Sequence, residues 1–205
     1  MSDFTYQFGD TSVPHETYEW DRTWIEHTEN KTLPRVFYIG DSISWGIRPE
    51  MQKQVSSEFL IDAVASSKGL DNPFLLPTLD LFFQQVKKPD LLIVNNGLHG
   101  WHLSDDAEYP RLLEKFLLAL RERLQIPVAV VLTTRVADAG RNERVKARNA
   151  AAVAVAKKIG CPVIDLYTPS ETYAGLQTGD GVHYSAEGYQ RLAEGLAEAV
   201  RTLLK

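Results

Sequence analysis

The sequence predicts an α/β fold, a three-layer α/β/α domain built on a five-stranded parallel sheet. From Arg35 onward, short β-type apolar runs alternate with longer amphipathic stretches, the pattern of a parallel sheet covered on both faces. A chain of 205 residues with 44% hydrophobic residues can bury one substantial core, so one domain is expected. Charged residues make up 24% of the chain and are mixed in sign along it, as in a folded protein.

Residues 1–34 come first and are polar and aromatic, with Tyr18, Trp20, Trp24 and Ile25 scattered among charges before Leu33 and Pro34. They read as an extension packed on the domain, which itself spans residues 35–205. The strand candidates follow at 36–39, 59–64, 91–94, 128–132 and 163–166. Between them, Leu113, Phe116, Leu117, Leu120 and Leu124 recur at three- and four-residue intervals and form one buried helical stripe. A helix over roughly 143–158 presents Val145, Ala152, Val153 and Ala156 on one side, with Asn149 among them needing a hydrogen-bond partner. Tyr189, Leu192, Leu196, Val200 and Leu203 make the last stripe, behind Ser185 as N-cap and Glu187 in the first turn.

Composition narrows the functional classes. A net charge of -5 offers no basic stripe for a phosphate backbone, so nucleic acid is not an expected partner. Cys161 is the only cysteine, which leaves no intramolecular disulfide and no cysteine-rich zinc site, and its apolar neighbours suggest a buried thiol. The N-terminus lacks a basic segment followed by a long apolar run, so neither a signal peptide nor a membrane span is expected, and a cytoplasmic location follows. His15 and His27, in the extension, show no metal-ligand spacing and receive no role.

In open α/β sheets ligands bind beyond the carboxyl ends of the strands, and the polar residues there share one chemistry. Gly40-Asp41-Ser42 follows the first strand, Asn95-Asn96-Gly97-Leu98-His99-Gly100-Trp101-His102 the third, and Asp180-Gly181-Val182-His183 precedes the last helix. A serine hydroxyl needs a base to take its proton, and a histidine base needs a partner that fixes its tautomer. Ser42, His183 and Asp180 supply those three roles. Each motif alone has a plainer meaning: Asp41 and Ser42 could simply cap the following helix.

Gly40-Asp41-Ser42 and Asp180-x-x-His183 together resemble the first and last blocks of the SGNH (GDSL-like) hydrolases, from about residue 35 to the end. The resemblance implies a flavodoxin-like sandwich, Ser42 as nucleophile, Asp180 and His183 as its partners, and no cofactor or metal. It also implies an oxyanion hole formed by the amides of Ser42 and Gly69 with a third donor. The usual Gly-x-Asn-Asp block is altered here: aligned on Gly97, His99 replaces the asparagine, and Asn96 is the competing donor. Asp41, Trp101 and His102 are candidates for contact with substrate, while Arg48 could bind a carboxylate, brace the loop or lie in solvent.

The expected activity is hydrolysis of a small-molecule carboxylic ester, a short-chain acyl (acetyl) ester of a carbohydrate or other small molecule. The alternatives are a non-catalytic carbohydrate-binding or interaction module, an acyltransferase or thioesterase using the same triad, and a flavodoxin-like nucleotide or flavin binder. Asp41 and Trp45 make the loop after the first strand a poor host for phosphate.

Overall fold

The computed structural model describes residues 17–205; His15 lies outside them. The strands are β1 (Asp21–Trp24), β2 (Arg35–Gly40), β3 (Leu60–Ser66), β4 (Leu91–Val94), β5 (Val128–Val131) and β6 (Val163–Ile164). The helices are α1 (Ser42–Val55), α2 (Leu75–Phe83), α3 (Glu108–Leu124), α4 (Ala139–Ile159), α5 (Tyr167–Thr172) and α6 (Ala186–Leu203). The sheet order is β1-β3-β2-β4-β5-β6, and β2 to β6 are parallel.

Side-chain alternation along buried strands divides the core in two. Val36 and Tyr38 face one layer with Ile43, Ile47 and Met51 of α1 and Leu192, Leu196 and Val200 of α6. Phe37 and Ile39 face the other, with Leu79 of α2, Leu113, Phe116 and Leu120 of α3 and Ala156 of α4. Each fully buried leucine or valine contributes about 1.5–3 kcal/mol, so the α6 stripe alone is a large share of what fixes that helix.

The five expected parallel strands are present, and the extension adds a sixth. β1 pairs antiparallel with β3, Asp21 opposite Ser66 and Trp24 opposite Ala63. Its sequence, Asp-Arg-Thr-Trp, has no apolar alternation because it is an outermost strand with largely exposed side chains, and charged residues there discourage further pairing. The adjoining segment is tied to the core by ions. Arg35 and Asp62, 2% and 0% exposed, pair at 2.7 Å, while Arg35 also donates to the His27 carbonyl and Asp62 accepts the Glu26 amide.

Arg48 is not solvated: only 7% exposed, it pairs with Glu26 at 2.8 Å and stacks on Trp24 at 4.7 Å, bracing the extension. Strand β6 stops at Ile164, short of the expected 166. The Asp165 carboxylate accepts the Tyr167 and Thr168 amides and turns the chain into α5. Ser185 caps α6 by accepting the Gly188 amide. Asn149 brackets Thr133, accepting its amide and donating to its carbonyl, and Cys161 is buried. No helix among the described residues is long and apolar enough to cross a membrane.

Candidate active site

Ser42 stands where β2 ends and α1 begins. Asp41 is the N-cap, in extended conformation, and its Oδ1 accepts the amides of Ile43 at 2.8 Å and Ser44 at 3.3 Å. Capping of this kind satisfies the second and third amides of a helix and leaves the first, that of Ser42, without an intrahelical acceptor. Asp41 is 2% exposed and is spent on the cap, so it does not reach the cleft as a substrate contact. Its short side chain folds back over its own helix terminus instead.

The second half of the site comes from the loop before α6. Thr178 and His183 close it, with the Thr178 amide on the His183 carbonyl at 2.8 Å, and Gln177 bridges Tyr184 beyond them. Gly181 turns the chain at φ 69°, and a Cβ there would lie 2.7 Å from that of Ala137. Inside this turn Asp180 Oδ1 accepts the amides of Val182 and His183 and the Thr178 hydroxyl. These backbone donors first, and the His183 ring next, hold the Asp180 carboxyl well below the usual carboxylate range. Asp180 Oδ2 lies 2.7 Å from His183 Nδ1, and His183 Nε2 lies 2.8 Å from Ser42 Oγ. Folding thus joins groups 141 positions apart into one hydrogen-bonded relay.

The loop after β4 carries the remaining candidates. Asn96 donates Nδ2 to the Lys68 carbonyl at 3.0 Å and is 8% exposed, which locks it to the Gly69 loop. His99 faces the serine cleft, edge-on to Trp20. A Cβ on Gly69 would fall 2.8 Å from Gly100 Cα, so glycine is what allows the two loops to meet. The residue that organises this loop was not singled out from sequence. Arg148, 1% exposed on α4, donates to the carbonyls of His99 at 2.6 Å and Gly100 at 2.7 Å and pairs with Asp105 at 2.7 Å.

Trp101 and His102 do not line the cleft. Gly100, at φ 65°, reverses the chain, sealed by the Leu103 amide on its carbonyl. Trp101 is carried under Arg141, Arg144 and Arg148, and His102 to Asp71 at 2.6 Å. The aromatic walls are Trp20, Trp45 and Tyr189, and with Arg22, Arg141, Leu98 and Val182 they surround Ser42 and His183 in a cavity of about 650 Å³. Burial pushes the Tyr189 phenol up to about 12, so it stays neutral. His27 lies beside Glu29 at 2.9 Å on the surface, far in sequence from these groups.

The model of the GDSL-like lipase/acylhydrolase family matches residues 38–191, three quarters of the chain and all of the relay. The chain belongs to this family. The GDSL-like match opens inside β2 and closes inside α6, leaving β1 and its neighbours outside it. No curated protein matches the chain. Among solved structures, a lipase/acylhydrolase from Enterococcus faecalis is 18% identical, with a TM-score of 0.65 over 84% of this chain and 98% of the other. The acetyl xylan esterase AlAXEase is 17% identical, with a TM-score of 0.64 over 81% and 99%. A carbohydrate esterase family 3 protein from Talaromyces cellulolyticus is 17% identical, with a TM-score of 0.65 over 84% and 98%. At these identities the likeness is one of fold.

Proposed function

We propose that this protein is a serine esterase that hydrolyses a short-chain acyl ester, acetyl above all, of a carbohydrate or similar small alcohol. The supporting observation is the relay itself: an imidazole 2.8 Å from a serine hydroxyl at one nitrogen and 2.7 Å from an ionised carboxylate at the other. Asp180, fixed as an anion, orients the imidazole with Nδ1 protonated, so that Nε2 is the base.

Ser42 Oγ attacks the ester carbonyl while its proton passes to His183 Nε2. The tetrahedral oxyanion is held by the Ser42 amide, left open by the Asp41 cap, and by the Gly69 amide. His99 is the third donor, because its ring lines the cleft beside Ser42 and Asn96 does not. The carbon–alkoxy bond then breaks, and the alcohol leaves with the proton from His183. Water, deprotonated by the same nitrogen, attacks the acyl-serine, and the acid departs as Oγ regains its proton.

Neighbouring folds that include an acetyl xylan esterase and a carbohydrate esterase favour a small acyl group on a sugar. The test is release of nitrophenol from a 4-nitrophenyl acetate by wild type and Ser42→Ala, with fluorophosphonate labelling alongside. Turnover and labelling should vanish in the variant; equal rates in both proteins would remove Ser42 from the mechanism. His99→Ala should lower kcat by about 10²–10³ and Asn96→Ala much less, the opposite order assigning the oxyanion to Asn96.

A further inference from the structure

Most arginines elsewhere in this fold meet carboxylates, among them Arg35 with Asp62, Arg48 with Glu26, and Arg144 and Arg148 with Asp105, while Arg121 and Arg135 donate to the Ile159 carbonyl and Gln177. Among the described residues, the side chains of Arg22, Arg111 and Arg141 make no hydrogen bond or ion pair, and two of these three face the serine cleft. Both are held by indoles instead. Arg22 lies 5.8 Å from the Trp20 ring and 5.9 Å from that of Trp45, and Arg141 lies 4.9 Å from Trp101.

Stacking of this kind positions a guanidinium by its face and leaves the in-plane N–H donors unspent. Those donors match a planar carboxylate two at a time. The acids nearby are already committed. Asp21, beside Arg22, pairs with Lys68; Asp138 accepts the Arg141 amide as the cap of α4; Asp180 is bound within its own turn. The chain as a whole carries a charge of -5, so the attraction for an anion is local to this cleft.

The strand order gives the two arginines a direction. Arg22 belongs to β1, two strands from β2 on one side, and Arg141 to the helix that follows β5, two strands away on the other. Ser42 sits between them at the end of β2. From this we infer that the cleft selects esters whose alcohol part is an acidic sugar, its carboxylate bound by Arg22 or Arg141 while the sugar ring lies along the Trp20 and Trp45 wall. The inference rests on the esterase reading above and adds the class of alcohol to it.

The test compares a methyl O-acetyl-glucuronoside with the matching uronamide, two substrates that differ in one charge. At low ionic strength the acid should be deacetylated with a kcat/KM about threefold higher, the contribution of one exposed arginine. The ratio should fall toward one in Arg22→Gln/Arg141→Gln, remain partly in Arg22→Lys/Arg141→Lys, and shrink in wild type as salt is raised. A ratio of one in wild type, or a high ratio untouched by both glutamines, overturns the inference. Calorimetric binding of the two compounds to Ser42→Ala gives the same comparison without turnover. If neither compound is hydrolysed the esterase reading fails, and the binding ratio still decides the preference for charge.

Discussion

Arg148→Met isolates the role of the buried guanidinium behind the loop that follows β4. Methionine fills a similar volume, so the perturbation is the loss of donors: two close bonds to the His99 and Gly100 carbonyls, a weaker one to Gly97 at 3.3 Å, and the pair with Asp105. Leaving a buried polar group without its partner costs about 1–3 kcal/mol, so losing the two close carbonyl bonds amounts to about 3–5 kcal/mol, while Asp105, only half-buried, keeps Arg144 at 2.6 Å. For a chain of this size that is a fall in Tm of about 6–20 °C. Turnover should drop as well, by about 10²-fold, because the loop carries His99 and sets Gly100 against Gly69, and misplacement by about 1 Å has that effect. The assay is urea unfolding together with kcat and KM for 4-nitrophenyl acetate, measured well below the variant's Tm. The loss should appear in kcat with KM little changed, and Arg148→Lys should restore stability more than rate, since an ammonium replaces the charge but not the fork. A variant within 1 kcal/mol of wild type with undiminished kcat would refute the positioning role.

Other substitutions probe the same framework. Gly181→Ala should cost about 1–2 kcal/mol from the left-handed backbone alone, with further strain against Ala137, and should depress kcat by displacing His183; unchanged kinetics would show that the turn tolerates a side chain. Asp62→Asn should destabilise by about 3–5 kcal/mol by leaving Arg35 unpaired in the core, read by chemical denaturation, and a neutral result would mean that the pair does not hold the extension. Asp180 is depressed by its backbone amides; at Asp105 burial opposes ionisation, but Arg144 and Arg148 outweigh it and the carboxyl is also depressed. Both therefore stabilise fully above the ordinary carboxylate value of 3.8 and lose that contribution as pH falls below it, so the urea midpoint should be lower at about pH 3 than at about pH 5. An equal midpoint at both values would contradict those ion pairs.

The residues of the relay were legible because each sits in a short loop at the end of a strong local signal. β2 is buried throughout, α6 has a clean apolar stripe, and the reactive groups flank them. The cleft walls were not legible. Arg22 lies in an edge strand whose four residues carry no periodic pattern, Trp20 lies just before it, and pairing with β3 is decided by contacts across 39 to 45 positions. Trp101 and His102 misled by adjacency to His99, since a left-handed glycine between them reverses the chain. Arg148 looked like one more charge on a helix, and its burial depends on carbonyls 48 and 49 positions away. Arg48 is a similar case, its partner Glu26 lying in the extension.

The outermost strand has a double duty with an evolutionary consequence. One segment both shields the flank of the sheet and furnishes a wall of the serine cleft, while Ser42, Asp180 and His183 lie in the part of the chain that the family model covers. On the esterase reading, exchanging this flanking ribbon would change the preference for the alcohol without disturbing the serine relay, provided that the replacement still fastens onto the buried Asp62 and Arg35 beneath it.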